Sequence, residues 1–172
     1  TSFFYGLGLS VEVCAYLSEE EDWLLTAAAD GADATDACSL ADGRRLAATI
    51  GEALRALHET VADACPVPDR TGDYLRTVEE NAARGCFDPS FLPSGLSLSR
   101  EEALATVRDA APALTSRVLL HGDYCLPNII LKEWRVTRFI DLGAAGIGDR
   151  HIDLFWGAWT LGFNLGTDRY RD

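Results

Sequence analysis

The first part of the chain alternates apolar and polar positions in a way that predicts a β-hairpin. Residues 11–17, VEVCAYL, and residues 23–28, WLLTAA, are apolar runs on either side of the acidic segment SEEED. Two strand-like runs around a polar turn are typical of antiparallel strands. Asp30 and Gly31 then interrupt the pattern, and the small residues that follow them indicate a connector.

Helical periodicity dominates the middle of the chain. Between residues 40 and 62, apolar residues recur at spacings of four, four, three and four, which predicts one amphipathic helix. Its expected buried face consists of Leu46, Ile50, Leu54, Leu57 and Val61. A second helix is predicted over 72–84 and ended by Gly85. Ser99 followed by Glu102 is a capping-box signal for a third helix.

Short apolar runs follow in the last third of the chain. They predict strands near 117–120, 128–132 and 135–140, and then a helix over 149–161. The order is therefore a hairpin, a set of helices, a second small hairpin and a final helix. This order predicts a mostly helical α+β domain.

Composition and charge narrow the class of protein. The chain has 172 residues, of which 48% are hydrophobic, and this is enough to bury a core. No apolar stretch reaches the ~20 residues that a membrane-spanning helix needs. The net charge of −12 disfavours nucleic acid as a partner and would suit a cationic ligand. Residues 1–10 show no secretion signal, so we expect a cytoplasmic protein, and the oligomeric state is not predicted.

The cysteines give no sign of a metal site or a disulfide framework. Their number is odd, they lack C-x-x-C spacing, and no histidine lies at ligand distance in the sequence. We expect reduced and mostly buried thiols at Cys14, Cys38, Cys65, Cys86 and Cys125.

The candidate chemistry lies around the second predicted hairpin. Residues 121–128, HGDYCLPN, place Asp123 in a loop directly after a strand, where a carboxylate can accept a proton from a substrate hydroxyl. If 128–132 pairs with 135–140, Asn128 and Asp141 lie at the same end of the hairpin. An amide oxygen and a carboxylate with open positions for phosphate and water are typical ligands of Mg²⁺.

HGDYCLPN followed by FIDLGAAGIGDRHIDL resembles the catalytic-loop and metal-loop motifs of the aminoglycoside phosphotransferases, which are relatives of the protein kinases. The segment Cys-Leu-Pro-Asn is similar to the aminoglycoside 3'-phosphotransferases in particular. The resemblance spans about residues 11–160. It implies a protein-kinase-like α+β fold, in which residues 1–29 are two strands of an N-terminal lobe with the interlobe linker and residues 30–172 are a helical C-terminal lobe.

The same resemblance implies roles for individual residues. Asp123 would be the catalytic base, and Asn128 and Asp141 would bind Mg²⁺. The backbone at Ala27 and Ala29 would hydrogen-bond the adenine of ATP, the co-substrate. Asp88, in GCFDPSFL, would contact an ammonium group of the aminoglycoside antibiotic, although an aspartate before a proline is also a common turn residue.

Other polar residues of the region are expected to support the site. His121, Asp149, Arg150 and Asp153 would hold the catalytic loop and the following helix in place. His58 is expected to be a packed histidine. Cys125 lies beside the base, but direct transfer to a hydroxyl needs no covalent intermediate, so a packing role is favoured.

Two parts of a kinase-type site are missing from the sequence. There is no Gly-rich phosphate loop, and the only lysine, Lys132, follows the catalytic loop; methionine is absent altogether. We therefore expect that the 172 residues are a segment of a longer ATP-dependent aminoglycoside kinase that confers antibiotic resistance, with weak or no activity alone. The alternatives are a kinase of the same fold for choline, a fructosamine, homoserine or a macrolide, or an inactive remnant that binds nucleotide or drug.

Overall fold

The computed structural model describes residues 1–92 and 95–171 and has the predicted α+β character. The helices in these residues are α1 (Ser2–Gly6), α2 (Ala37–Leu40), α3 (Gly43–His58), α4 (Arg70–Ala83), α5 (Arg100–Ala110) and α6 (His151–Leu165). The strands are β1 (Val13–Ser18), β2 (Asp22–Thr26), β3 (Ala32–Asp33), β4 (Val118–Leu120), β5 (Ile129–Lys132), β6 (Arg135–Phe139) and β7 (Gly146–Gly148). None of these helices is long and apolar enough to cross a bilayer.

Strands β1 and β2 form the predicted antiparallel hairpin, with Tyr16 opposite Leu24 and Leu17 opposite Trp23. Each of these four side chains is more than half exposed. The hairpin is therefore a two-stranded ribbon whose two faces both carry accessible apolar side chains.

The second hairpin, β5–β6, is also formed as predicted, with Ile129 opposite Phe139. Two strands were not predicted. Strand β3 is only two residues long and pairs with β5, and β7 is the tripeptide Gly-Ile-Gly, which pairs antiparallel with β4. Segments this short, with glycine in β7, carry no alternation from which a strand could be inferred.

Helix α3 is the centre of the core. Its residues Leu46, Ile50, Leu54 and Leu57 are buried, and the helix contacts α6, β4 and β6. The side chain of Asp42 accepts a hydrogen bond from the Arg45 N–H and caps the helix start. The prediction for Val61 was wrong: the helix ends at His58, so this side chain leaves the apolar face and is 78% exposed.

The other predicted helix signals agree with the structure. Helix α4 begins two residues earlier than expected, because the Asp69 side chain caps it at the Gly72 N–H, and Gly85 follows its end with a φ of 78°. At α5, Ser99 and Glu102 form the predicted capping box, with each side chain bonded to the backbone of the other.

All five cysteines are free, but the expectation that most are buried was wrong. Cys14 lies on the open β1–β2 ribbon, and Cys38 and Cys86 are also exposed. Cys65 and Cys125 are partly buried.

Candidate active site

Asp123 lies in the loop between β4 and a single 3₁₀ turn, Leu126–Asn128, that leads into β5. The preceding Gly122 has a φ of 85°, and a Cβ atom there would collide with the Ala144 carbonyl. Only glycine allows this close approach of backbone to backbone. The loop of the predicted base is therefore packed directly against the loop that follows Asp141.

The Asp123 carboxylate is held on both oxygens. Asn128 Nδ2 donates to Oδ2 over 2.9 Å and to the Asp123 backbone oxygen over 3.0 Å. The Cys125 thiol donates to Oδ1 over 3.2 Å. Each carboxylate oxygen can accept more than one hydrogen bond, so a substrate hydroxyl can still approach.

Asp141 is brought to the same end of the hairpin as Asn128. The Ile140 N–H donates to the Asn128 carbonyl over 3.0 Å, which places the next residue, Asp141, beside Asn128. Since the Asn128 amide nitrogen faces two oxygen acceptors of Asp123, the amide oxygen is the atom left for a cation. Asp141 is exposed and has a φ of 54°, a left-handed conformation that is uncommon for a residue other than glycine.

One amide oxygen and one carboxylate fit Mg²⁺, which is commonly held by one or two protein ligands together with phosphates and water. No group of three or more His, Cys, Asp or Glu side chains within residues 1–92 and 95–171 could hold a metal by itself. The donor set of Asn128 and Asp141 therefore suits a cation that enters with a phosphorylated ligand better than a permanent structural metal.

Asp153 anchors the loop that carries Asp123 to the helical core. It is fully buried and accepts hydrogen bonds from the His121 N–H over 2.9 Å and from the Gly122 N–H over 2.8 Å. The His58 Nε2 lies 3.2 Å from the same carboxylate, so the packed histidine of α3 also contacts this anchor. Helices α3 and α6 thereby fix the position of the loop that presents Asp123.

His121 is buried inside the loop. The Asp123 N–H approaches its Nδ1 at 3.3 Å, and its ring packs edge-on against Tyr124 and Phe139. Burial lowers the pKa of His121, against the opposing effect of the Asp153 and Asp123 carboxylates. A neutral ring with Nδ1 as acceptor supports the loop, as expected for a brace.

Asp149 fixes the start of α6. Its carboxylate accepts hydrogen bonds from the N–H and hydroxyl of Ser116 and from the N–H of His151, and His151 Nδ1 lies 2.7 Å away. Burial alone would raise the pKa of Asp149, but the bonds from His151 and Ser116 outweigh it and lower the pKa to about 2. The expected brace at Arg150 is limited to its backbone N–H, which donates to Ser116, while its side chain is exposed.

Ala27 and Ala29 line a cavity of about 360 Å³ between the first hairpin and β6. The Ala27 N–H donates to the Glu12 carbonyl over 2.9 Å, which ties this edge of the cavity to the segment before β1. The adjoining Asp30 holds residues 27–30 on the second hairpin through an ion pair with Lys132.

The structure does not bring Asp88 into the cluster around Asp123. Asp88 is exposed and caps a short turn by accepting the Ser90 N–H over 2.9 Å, and hydrogen bonds with Ser90 lower the pKa of its carboxyl group. It lines a cavity of about 390 Å³ between α4 and α5. Tyr74 lines this cavity and also a smaller one that reaches Gly122. The substrate role of Asp88 remains a prediction.

Two contacts at the site were not predicted. One is the bond from the Cys125 thiol to Asp123. The other is the contact of Arg70, in α4, with backbone carbonyls of the loop after Asp141. No local sequence pattern indicates the second, because its partners are more than seventy residues apart in the chain.

This arrangement agrees with the comparison with known families. Residues 2–172 match the sequence model of the phosphotransferase enzyme family, APH, and the chain belongs to that family. A relative from Lactococcus lactis, a "Probable aminoglycoside 3'-phosphotransferase", is 43% identical over 100% of this chain and 66% of its own length. The streptomycin 3''-kinase of Streptomyces griseus is 35% identical over 81% of this chain and 54% of its own length.

A solved structure of an aminoglycoside phosphotransferase is also similar to this chain. The aminoglycoside phosphotransferase APH(3'')-Id from Streptomyces rimosus, in complex with ADP and streptomycin, matches with a TM-score of 0.77 and 28% identity. The match covers 95% of this chain and 64% of that one. The chain thus spans about half to two thirds of the length of these relatives.

Proposed function

We propose that the protein to which this chain belongs transfers the γ-phosphoryl group of ATP to a hydroxyl group of an aminoglycoside antibiotic, the 3'-hydroxyl in the first instance, and so confers resistance. The observation that carries the proposal is the arrangement of Asp123, Asn128 and Asp141 at one end of the β5–β6 hairpin. Two relatives that are named as aminoglycoside 3'-phosphotransferases support an aminoglycoside as the substrate.

Asp123 would orient the attacking hydroxyl and accept its proton. Its carboxylate is already aligned by the Asn128 amide and the Cys125 thiol, so little ordering is needed when the substrate binds. Asn128 and Asp141 would hold Mg²⁺, which when bound neutralises charge on the ATP phosphate oxygens. No step needs a covalent intermediate, and Cys125 is not a nucleophile in this mechanism.

We place the nucleotide at the cavity beside Ala27 and Ala29, where backbone groups of the linker could bond the adenine edge. Complexes of related phosphotransferases with ADP support ATP as the co-substrate. In this proposal residues 1–29 belong to an N-terminal lobe with its linker, and residues 30–172 form the C-terminal lobe. A reaction that uses ATP in this way would take place in the cytoplasm.

Charge supports a cationic acceptor. Aminoglycosides are polycations, and the chain has a net charge of −12 that would attract them. Asp88, whose pKa is lowered and which is therefore ionised at neutral pH, would be one contact for an ammonium group.

A second candidate is phosphorylation of streptomycin at its 3''-hydroxyl. It is favoured by the kinase of Streptomyces griseus and by the structure of the Streptomyces rimosus relative with streptomycin. Kinases of the same fold for choline, a fructosamine, homoserine or a macrolide, and an inactive binding protein, are the remaining alternatives.

The test is MgATP-dependent phosphorylation by the native gene product and by residues 1–172, with kanamycin, tobramycin, streptomycin and choline as acceptors. Tobramycin lacks the 3'-hydroxyl, so turnover of kanamycin without tobramycin would support the 3' assignment. Turnover of streptomycin alone would replace it with the 3'' assignment. Nucleotide binding without turnover of any acceptor would contradict the enzymatic proposal.

A further inference from the structure

The guanidinium group of Arg70 bridges helix α4 and the loop that follows Asp141. Nε of Arg70 donates to the Ala145 carbonyl and Nη2 donates to the Gly143 carbonyl, each over 2.8 Å. Arg70 is the first residue of α4 and is partly buried. The Asp73 carboxylate, one helical turn further on, lies 3.4 Å from Nη1 and helps to orient the guanidinium group.

The loop at residues 141–145 needs such support. Asp141 has a φ of 54°, a left-handed conformation that is strained for a residue other than glycine and persists only where its surroundings hold it. Gly143 and Ala145 lie outside the strands, so sheet pairing does not fix their carbonyls. The planar guanidinium group offers donors in a fixed fork and can hold two carbonyls at once.

The backbone near Arg70 is fitted closely to the same loop. A Cβ atom at Gly146 would lie 2.7 Å from the Arg70 Cγ and 2.9 Å from the Val67 Cβ. The Ile147 N–H also donates to the Val67 carbonyl over 2.8 Å. The start of α4 and the residues before it therefore cover the end of this loop, and Arg70 extends the contact back towards Asp141.

We propose that Arg70 is a positioning residue that holds the loop of Asp141 in the conformation that binds the metal ion. The inference rests on the proposed function for the role of Asp141. Arg70 itself does not touch the reacting groups: it acts through the carbonyls of Gly143 and Ala145.

The experiment compares Arg70→Ala and Arg70→Lys with Arg84→Ala. Arg84 directly follows the same helix, is exposed, and its side chain contacts Asn81 rather than Asp73 or the loop, which makes it the matched control. Two measurements do not depend on turnover: hydrogen exchange of the amides in residues 141–147 without metal, and Mn²⁺ binding in the presence of a non-hydrolysable ATP analogue. The third measurement is the Mg²⁺ concentration that gives half-maximal phosphorylation.

In Arg70→Ala we expect faster exchange at residues 141–147 and about tenfold weaker Mn²⁺ binding, as for other residues that orient metal ligands. The Mg²⁺ requirement rises by a similar factor, while KM for the antibiotic changes little. We expect values for Arg70→Lys between those of the wild type and Arg70→Ala, because an ammonium group cannot reproduce the forked donors of the guanidinium group. Arg84→Ala behaves as wild type.

Loop protection and Mn²⁺ affinity that match the wild type in Arg70→Ala would overturn the inference. If Arg70→Ala does not fold, as judged by its thermal transition, Arg70→Lys decides the question by the same two measurements. A wild-type protein that binds Mn²⁺ with nucleotide but phosphorylates nothing would contradict the proposed function and still leave the Arg70 inference decided by exchange and binding.

Discussion

The side-chain amide of Asn128 donates one hydrogen bond to the Asp123 carboxylate and one to the Asp123 backbone carbonyl. These bonds close the loop of Asp123 on itself and turn the amide oxygen of Asn128 away from Asp123. One side chain can thereby orient the proposed base and face a cation with its other end. The separate roles proposed for the base and the metal ligand are for this reason structurally coupled.

Replacing Asp123 with Asn should abolish phosphorylation while leaving the fold intact. The amide keeps the size of the carboxylate but cannot take up the hydroxyl proton, so we expect kcat to fall by about 10²–10⁴. KM for ATP should change little, because Asp123 does not line the cavity beside Ala27 and Ala29. The check is steady-state kinetics with circular dichroism of both proteins. Full activity in the variant would rule out Asp123 as the base.

Cys125 should have the least reactive thiol of the five cysteines in this chain. Burial raises the pKa of the Cys125 thiol to about 12, with the hydrogen bond to Asp123 and its charge adding to the effect. The nucleophile is the thiolate, of which almost none is present at pH 8. We expect iodoacetamide to label the exposed Cys14, Cys38 and Cys86 first, partly buried Cys65 later and Cys125 last. Peptide mapping by mass spectrometry during labelling measures this order, and early labelling of Cys125 would contradict it.

The thiol of Cys125 also has a testable effect on the base. Cys125→Ser keeps a donor for Asp123 Oδ1 and should retain most of the activity, whereas Cys125→Ala removes the donor and should lower kcat several-fold. Cys65→Ala is the control, since the Cys65 thiol is directed at the Val67 carbonyl and not at the site. Equal kcat values for the Ser and Ala variants would show that the thiol only fills space.

Local signals predicted those parts of the site whose residues are close in the chain. The distance from Asn128 to Asp141 is the length of one hairpin, so alternation and spacing were enough to place them together. Val61 was misplaced because periodicity continues past the residue at which the helix ends. The buried anchor Asp153 and its partner His58 are 95 residues apart, and only the family motif indicated a supporting role for Asp153.

Contacts between segments that are distant in the chain could not be predicted from local sequence patterns. Strand β3 pairs with β5 across about a hundred residues, and Gly-Ile-Gly in β7 has no strand propensity. Arg70 is one of fourteen arginines in the chain, and nothing adjacent to it marks a partner 73 residues away. Such contacts depend on how the helices pack and are visible only in three dimensions.

Asp149 should make the stability of the protein depend on pH in the acid range. Its pKa is about 2 in the folded state against an ordinary value of 3.8, so the folded state binds its proton less readily than the unfolded state. The stabilisation is therefore present above about pH 4 and is lost as the pH falls towards 2. Asp149→Asn should cost about 1–3 kcal/mol at pH 7, because the amide keeps only one of the two oxygens that accept the bonds from Ser116 and His151, and less at pH 3.

Urea unfolding at pH 7 and pH 3 measures this difference. The control is Asp109→Asn, since Asp109 is exposed on α5 and should change the free energy of unfolding by less than about 0.5 kcal/mol at either pH. A destabilisation by Asp149→Asn that is the same at both pH values would mean that the carboxylate charge does not stabilise the fold.

Gly122→Ala should disturb the loop of Asp123 more than the strain of a left-handed alanine alone would explain. Both Gly122, at 85°, and Gly166, at 61°, have left-handed backbones, so alanine costs about 1 kcal/mol at either position through conformation. Gly166 has open space around a new Cβ, whereas at Gly122 the Cβ would collide with the Ala144 carbonyl. We therefore expect Gly166→Ala to remain active and Gly122→Ala to lose more stability and most of its kcat, as the two loops move apart. Thermal unfolding and kinetics of the pair measure this, and equal effects would mean that the loops of Asp123 and Asp141 need not be in contact for activity.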